Sequence, residues 1–248
     1  MVVQSIEAIL FDMNGTLRVR EPHEPTRRAA TTRMLELLGM DVAPDAYWGE
    51  LTLRHKAYSH WAQENLVQLP EKEIWTRWMV PEIPDWKIER HAAELSLAWR
   101  DLKGRTIPRS GAEETLVELK RRGYRLGVIS NSMSSLDIPR SLKTFGWQDL
   151  FEVVILSATV KYRKPAPDIF WEATRALNLD PSQCAYLGNR KTKDVLGCRR
   201  AGFTLAIMLE TPGEPRADEQ DPAIQPDRVI RSLSELLDIF PPRIPLVT

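Results

Sequence analysis

Residues 8–11 are apolar without alternation, and the run stops at Asp12. That is the pattern of a strand buried on both faces, ending in a carboxylate. Similar short apolar runs recur at residues 124–130, 151–156, 185–187 and 203–209. Between them lie stretches of helical period at residues 110–122 (closed by Gly123), 136–145, 167–178 and 192–201. A strand–helix piece at residues 228–240 follows a proline- and acid-rich stretch, 210–226, that reads as a loop. From Gly104 onward the texture is therefore alternating strand and helix, which predicts an α/β protein with a parallel sheet.

Residues 26–103 carry a different pattern. Helical period predicts helices ending near Gly39, over 47–67, over 71–79, and over 85–102 with Asp85 as its cap. No run there reads as a strand, and the stretch from Arg18 to Pro25, with its prolines, reads as a loop. Six of the eight tryptophans fall in this zone. At helical spacing they are expected to be core, with a minority lining a cleft.

The chain has 248 residues, with 43% hydrophobic and 27% charged, and a formal net charge of +0. These values suit a globular protein and give no whole-molecule pull toward nucleic acid or anionic membrane. No run is long enough to cross a bilayer, and no N-terminal segment has signal-peptide character, so a cytoplasmic location is expected. Cys184 and Cys198 make no disulfide framework and read as small buried apolar residues. The four histidines lie at spacings that do not suggest a metal site.

The chemistry gathers at strand ends. Asp12 opens Asp12-Met13-Asn14-Gly15-Thr16, where Gly15 permits a sharp turn and Thr16 can hold it. Ser130 and Asn131 close the second run, Lys164 precedes two prolines, and Gly188-Asn189 leads to Asp194. A strand-end carboxylate sits where open α/β sheets carry out their reactions. Taken singly, each residue has a plainer reading as a turn former or a solvated charge.

These four motifs in this order resemble the haloacid dehalogenase-like superfamily of hydrolases over nearly the full chain. The resemblance implies a doubly wound parallel sheet made by residues 1–17 and 104–248, with residues 18–103 as a smaller all-helical cap. It implies that Asp12 attacks phosphorus to give an acyl-phosphate, and that Ser130 and Lys164 stabilise the transferring group. Asn14 stands at the family's acid–base position. Asn131, Gly15 and Thr16 would bind substrate, and Asp12, Asn14, Asp194 and Asn189 would hold Mg²⁺.

Two departures change the expected chemistry. The family's phosphatases carry an aspartate where Asn14 stands, and their fourth motif begins Gly-Asp rather than Gly188-Asn189. An amide neither donates a proton to an alkoxide nor activates water, and loss of that help typically costs ~10²–10⁴ in rate, about 3–5.5 kcal/mol of barrier. Asp12, Asp194 and Lys164 sum to a single negative charge without any metal, so Mg²⁺ affinity is expected to be weak. Arg190, Lys191 and Lys193 flank the same loop and would add cations there, unless they form a solvated face. Asn14-Gly15 is also a deamidation-prone pair. The leading expectation is a hydrolase of a small phosphate monoester with attenuated chemistry, its partner a small phosphorylated molecule. The alternatives are a non-catalytic relative that binds a phosphorylated ligand or a protein, and a metal-independent dehalogenase-type hydrolase.

Overall fold

Six parallel strands form the central sheet in the order β5-β4-β1-β6-β7-β8. They are β1 (Ala8–Phe11), β4 (Arg125–Ser130), β5 (Val153–Leu156), β6 (Cys184–Gly188), β7 (Leu205–Leu209) and β8 (Arg228–Ile230), while β2 (Arg18–Glu21) and β3 (Arg105–Pro108) pair elsewhere. This is a computed structural model, and it describes residues 5–40, 44–210 and 221–243. The loop expected at 210–226 lies for the most part outside them.

Chain order runs outward from β1 through β4 to β5, then returns to β6 on the other side of β1 and continues to β8. The strand order therefore reverses between β1 and β6, and ligand crevices form at such a point. Aliphatic and aromatic side chains cover both faces of the sheet. Ile9, Phe11, Leu126 and Leu187 pack on one side with Leu116 and Leu119 of the helix Ala112–Arg121. On the other side Leu10, Ile129 and Tyr186 pack with Ile169 and Phe170 of the helix Pro167–Leu177. Burial on both faces explains why these strands read as continuous apolar runs.

The helical zone has its own core, in which Met34, Leu51, Tyr58, Trp75, Leu95 and Trp99 meet. Its helices are Glu24–Leu38, Pro44–Glu64 and Ala92–Asp101, with shorter turns between. Of the tryptophans expected in core, Trp75 and Trp99 are buried and Trp86 is exposed. Asp85 is the first residue of a short helix whose cap is Pro84, not the cap itself. The stretch read as a loop after Leu17 contains β2 and the start of the first helix, where the His23 ring accepts from the Thr26 backbone N–H. β2 pairs antiparallel with β3, so the two chain crossings between helical zone and sheet form one ribbon. Pro22 and Pro25 lie past the paired residues of β2, and Pro108 pairs only at the last position of β3, so no proline interrupts the ribbon. Across the two zones, Glu71 accepts from the Ser135 backbone N–H and hydroxyl at 3.0 and 2.8 Å.

Candidate active site

β1 ends at Asp12, and the backbone then turns tightly over Gly15, whose φ of 84° lies in the left-handed region that glycine tolerates best. The Asp12 carboxylate meets the Lys164 ammonium at 2.7 Å, and the same ammonium lies 2.6 Å from Asp194 and 2.8 Å from the Tyr186 hydroxyl. The sheet reversal thus brings together groups from β1, β6 and the loop before the helix Pro167–Leu177. Burial and nearby Asp194 push the Asp12 carboxyl above its ordinary range, against the pull of Lys164. Burial alone would lower Lys164, but the two carboxylates outweigh it and hold it charged.

Asp194 is aimed by a local irregularity. Where a regular helix over 192–201 is expected, the chain makes a π-turn at Lys191–Val195 before the helix Leu196–Ala201. Asp194 Oδ2 then accepts the backbone N–H groups of Asn189 and Arg190 at 3.1 and 3.0 Å. Gly188 makes room for it: a Cβ there would lie 2.2 Å from the Asp194 carboxyl carbon.

Several expected site residues take other positions. Ser130 and Thr16 are fully buried behind Asp12, and their hydroxyls approach its two oxygens at a long 3.4 Å each. In this arrangement Ser130 orients the carboxylate instead of facing a ligand, and Thr16 does not line the cavity. The Asn131 amide lines the cavity and also accepts from the Lys164 backbone N–H at 2.9 Å and donates to its carbonyl at 3.1 Å, so it anchors the lysine. Gly15 does line the cavity, beside the Asn189 amide.

Asn14 shows the largest surprise. Its Oδ1 accepts from Arg18 Nη2 at 2.9 Å, from Arg18 Nε at 3.2 Å and from Arg100 Nη2 at 3.0 Å. Both guanidinium groups are held in turn by buried Asp137, Arg18 at 2.5 Å and Arg100 at 3.1 Å. Burial would raise the Asp137 carboxyl, but Arg100 and Arg18 outweigh it and bring it down to about 2. The Gly15 backbone N–H, the atom that deamidation would need, donates to the Arg18 carbonyl at 2.8 Å. Arg109 spans the same turn, donating to the carbonyls of Thr16 and Gly15 at 2.8 and 2.6 Å. None of these arginines was legible as a site residue, because in sequence each resembles an ordinary surface charge.

All of this borders a cavity of about 500 Å³ whose wall carries seven cationic side chains against two carboxylates, Asp12 and Asp194. Arg190 and Lys193 belong to that wall rather than to a solvated face. The residues do not fit Mg²⁺, which wants several uncommitted oxygen ligands. Asp194 accepts hydrogen bonds on both oxygens, Asn14 Oδ1 takes three guanidinium N–H groups, and Asp12 is bound to Lys164. Among the described residues no three His, Cys, Asp or Glu side chains converge as a metal group. Of the expected set of Asp12, Asn14, Asp194 and Asn189, the first three already have oxygens committed, Asn14 to arginines and Asp12 and Asp194 to Lys164, so the set is a poor match to a divalent-cation cradle.

A buried ammonium behind a strand-end carboxylate at a parallel-sheet switch point is an arrangement suited to covalent hydrolysis. The chain belongs to the haloacid dehalogenase-like hydrolase family, whose model matches residues 6–202. It is 28% identical over 240 residues to a glyceraldehyde 3-phosphate phosphatase of Methanopyrus kandleri, covering 94% of this chain and 97% of the relative. It is 26% identical over 247 residues to a phosphoglycolate phosphatase of Neisseria meningitidis, covering 97% and 96%. Among solved structures, a 2-haloacid dehalogenase of Pseudomonas syringae superposes with a TM-score of 0.65 at 21% identity, covering 94% and 97%, a likeness of fold.

Proposed function

We propose that this chain acts on small phosphate monoesters, capturing the phosphoryl group on Asp12 and releasing it slowly. In the first step an Asp12 carboxylate oxygen forms a bond to phosphorus and the ester P–O bond breaks. The leaving alkoxide takes its proton from water, since the Asn14 amide supplies none. In the second step water attacks the aspartyl-phosphate, giving free phosphate and restoring the carboxylate. Lys164, with Arg18 and Arg109 at the Asp12 turn, offsets the charge that builds on the transferring group. Ser130, Thr16 and Asn131 act as positioning residues for Asp12 and Lys164. Residues 18–103 form the cap over a core of residues 1–17 and 104–248, with the β2–β3 ribbon as the joint.

The observation that carries this reading is the Asp12–Lys164–Asp194 cluster opening into a cation-walled cavity. The phosphatase names of full-length relatives support the same substrate class. Without an acid–base residue the second step is the slow one, so the covalent intermediate accumulates. Acid quenching after exposure to acetyl phosphate, followed by peptide mass mapping, is expected to find one phosphoryl group on the peptide containing Asp12 and none in Asp12→Asn. No label, or a label that survives in Asp12→Asn, overturns the proposal. The guanidinium grip on Asn14 favours one second reading, a binding protein for phosphorylated ligands that captures nothing. It predicts ligand affinity with no covalent label.

A further inference from the structure

The cavity wall holds more positive charge than a single phosphoryl group uses. Lys164 is engaged by Asp12 and Asp194, Arg18 and Arg100 share Asp137, and Arg109 holds two backbone carbonyls. Arg20 is different. Its Nε is buried with no hydrogen-bond partner, and its side chain makes no hydrogen bond or ion pair with any described residue. It nevertheless lines the cavity, as does Thr106, its partner across the β2–β3 ribbon.

Position follows from strand geometry. Arg18 and Arg20 share one face of β2, because side chains alternate along a strand. Arg18 reaches Asn14, beside the Asp12 turn. Arg20 lies two residues further along the ribbon, roughly 7 Å beyond Arg18. Arg100 enters from the helix Ala92–Asp101 and lines the same wall. Burial, Arg100 and Arg18 push the Arg20 guanidinium down to about 10 against the pull of Asp137 and Asp101, so it remains charged at neutral pH. A charged, half-buried guanidinium with no anion in hydrogen-bond reach is under-satisfied, and an incoming oxyanion matches its planar donor fork.

We propose that Arg20, with Arg100 beside it, forms a second anion subsite in the Asp12 cavity, so that the ligand is a short organic phosphate with a second oxyanion at its far end. The inference rests on the proposed phosphoryl site at Asp12 and deepens it. A carboxylate and a second phosphate share the chemistry that the guanidinium recognises.

The test is calorimetric titration of the full chain, in EDTA, with three probes: ethyl phosphate, phosphoglycolate and propane-1,3-diyl bisphosphate. At least one of the probes that carry two oxyanion groups is expected to bind roughly tenfold or more tighter than ethyl phosphate, as suits charge-assisted hydrogen bonds. Arg20→Gln is expected to remove that advantage and leave ethyl phosphate affinity unchanged. A gain with phosphoglycolate alone assigns a carboxylate, and a gain with the bisphosphate alone assigns a phosphate. Equal affinity for all three probes in the parent protein overturns the proposal, and that comparison needs no folded variant. An equal loss for every probe in Arg20→Gln, with an unchanged melting curve, overturns it as well. The ratio between probes reports the Arg20 subsite, whereas ethyl phosphate affinity itself reports the Asp12 pocket. Ethyl phosphate failing to bind while phosphoglycolate binds through Arg20 would refute the Asp12 reading and leave Arg20 as a lone anion site rather than a second one, whereas equal binding of all three probes refutes the second subsite alone.

Discussion

Changing Asn14→Asp places a carboxylate where the resemblance puts an acid–base residue, but the surroundings decide which half of the proposed reaction it can serve. The new carboxylate would inherit two guanidinium groups whose nitrogens now lie 2.9 to 3.2 Å from Asn14 Oδ1. One adjacent arginine lowers an aspartate by about 1–3 pKa units. With two, the protonated fraction at pH 7 falls to about one in ten thousand or fewer. Such a group is a base and almost never an acid. Water attack on the aspartyl-phosphate should therefore gain a factor toward the lower end of the ~10²–10⁴ that a positioned base supplies, because so acidic a group is also a weak base. Phosphoryl capture from an alkyl ester, which needs a proton for its leaving group, should stay near the parent rate. Rapid-quench measurement of the first turnover, set against steady-state phosphate release, separates the two steps. Adding Arg100→Gln removes one cation, raises the new carboxyl, and should move the fall of the capture rate with rising pH to higher pH. A hundredfold faster capture from ethyl phosphate at pH 7 in Asn14→Asp alone would refute this account of the arginines.

Three further outcomes follow from the same geometry. The Asp137 carboxyl, held near 2 by Arg100 and Arg18 against burial, lies below its unfolded value; its contribution, about 2 kcal/mol, is present above pH 4 and lost as pH falls toward 2. Urea unfolding at pH 7 and pH 2.5 should show a smaller drop in Asp137→Asn than in the parent, and an equal drop argues against the pairing. Gly188→Ala places a methyl 2.2 Å from the Asp194 carboxyl carbon, which should cost about 1–3 kcal/mol in thermal or urea unfolding and suppress labelling of Asp12; an unchanged melting curve would contradict the packing. Phosphoryl capture should proceed equally in EDTA and in millimolar Mg²⁺, and a strong Mg²⁺ requirement would overturn the reading of the donor set.

The parts of the site legible in the sequence were those fixed by local pattern. Apolar runs that end abruptly placed Asp12 and Asn189 at strand ends, and the order of the motifs brought Lys164 and Asp194 to the same rim. What stayed hidden depends on long-range packing. Arg18 finds Asp137 across 119 positions of chain and Arg100 finds it across 37, and nothing in local spacing separates these arginines from solvated ones. The β2 strand was obscured by Pro22 and Pro25, which sit just outside the paired residues. Tyr186 lies in a strand apolar on both faces, so no alternation revealed that its hydroxyl meets Lys164. The π-turn that aims Asp194 begins one residue before the helical period suggested, and a one-residue change in winding leaves little trace in composition.

The two asparagines and the arginines make one coherent substitution of charge. A carboxylate at position 14 facing Arg18 and Arg100 would form a closed ion network with Asp137, leaving little reason for a divalent ion to enter. With amides at 14 and 189, the arginines keep part of their charge for the cavity, where an arriving phosphoryl group presents oxygens to a wall of seven cations. Preorganised positive charge is what a transferring phosphoryl group requires, whether a metal or side chains supply it. The exchange is asymmetric, however. Guanidinium groups can offset charge on phosphorus, yet they hand no proton to an alkoxide and take none from water at neutral pH. Capture from a phosphate with a good leaving group can therefore survive the exchange, while release, which needs an activated water, is slowed. Reverting both asparagines to acids would add carboxylates that pair first with the arginines already in place, so a metal-dependent site would need those arginines removed as well.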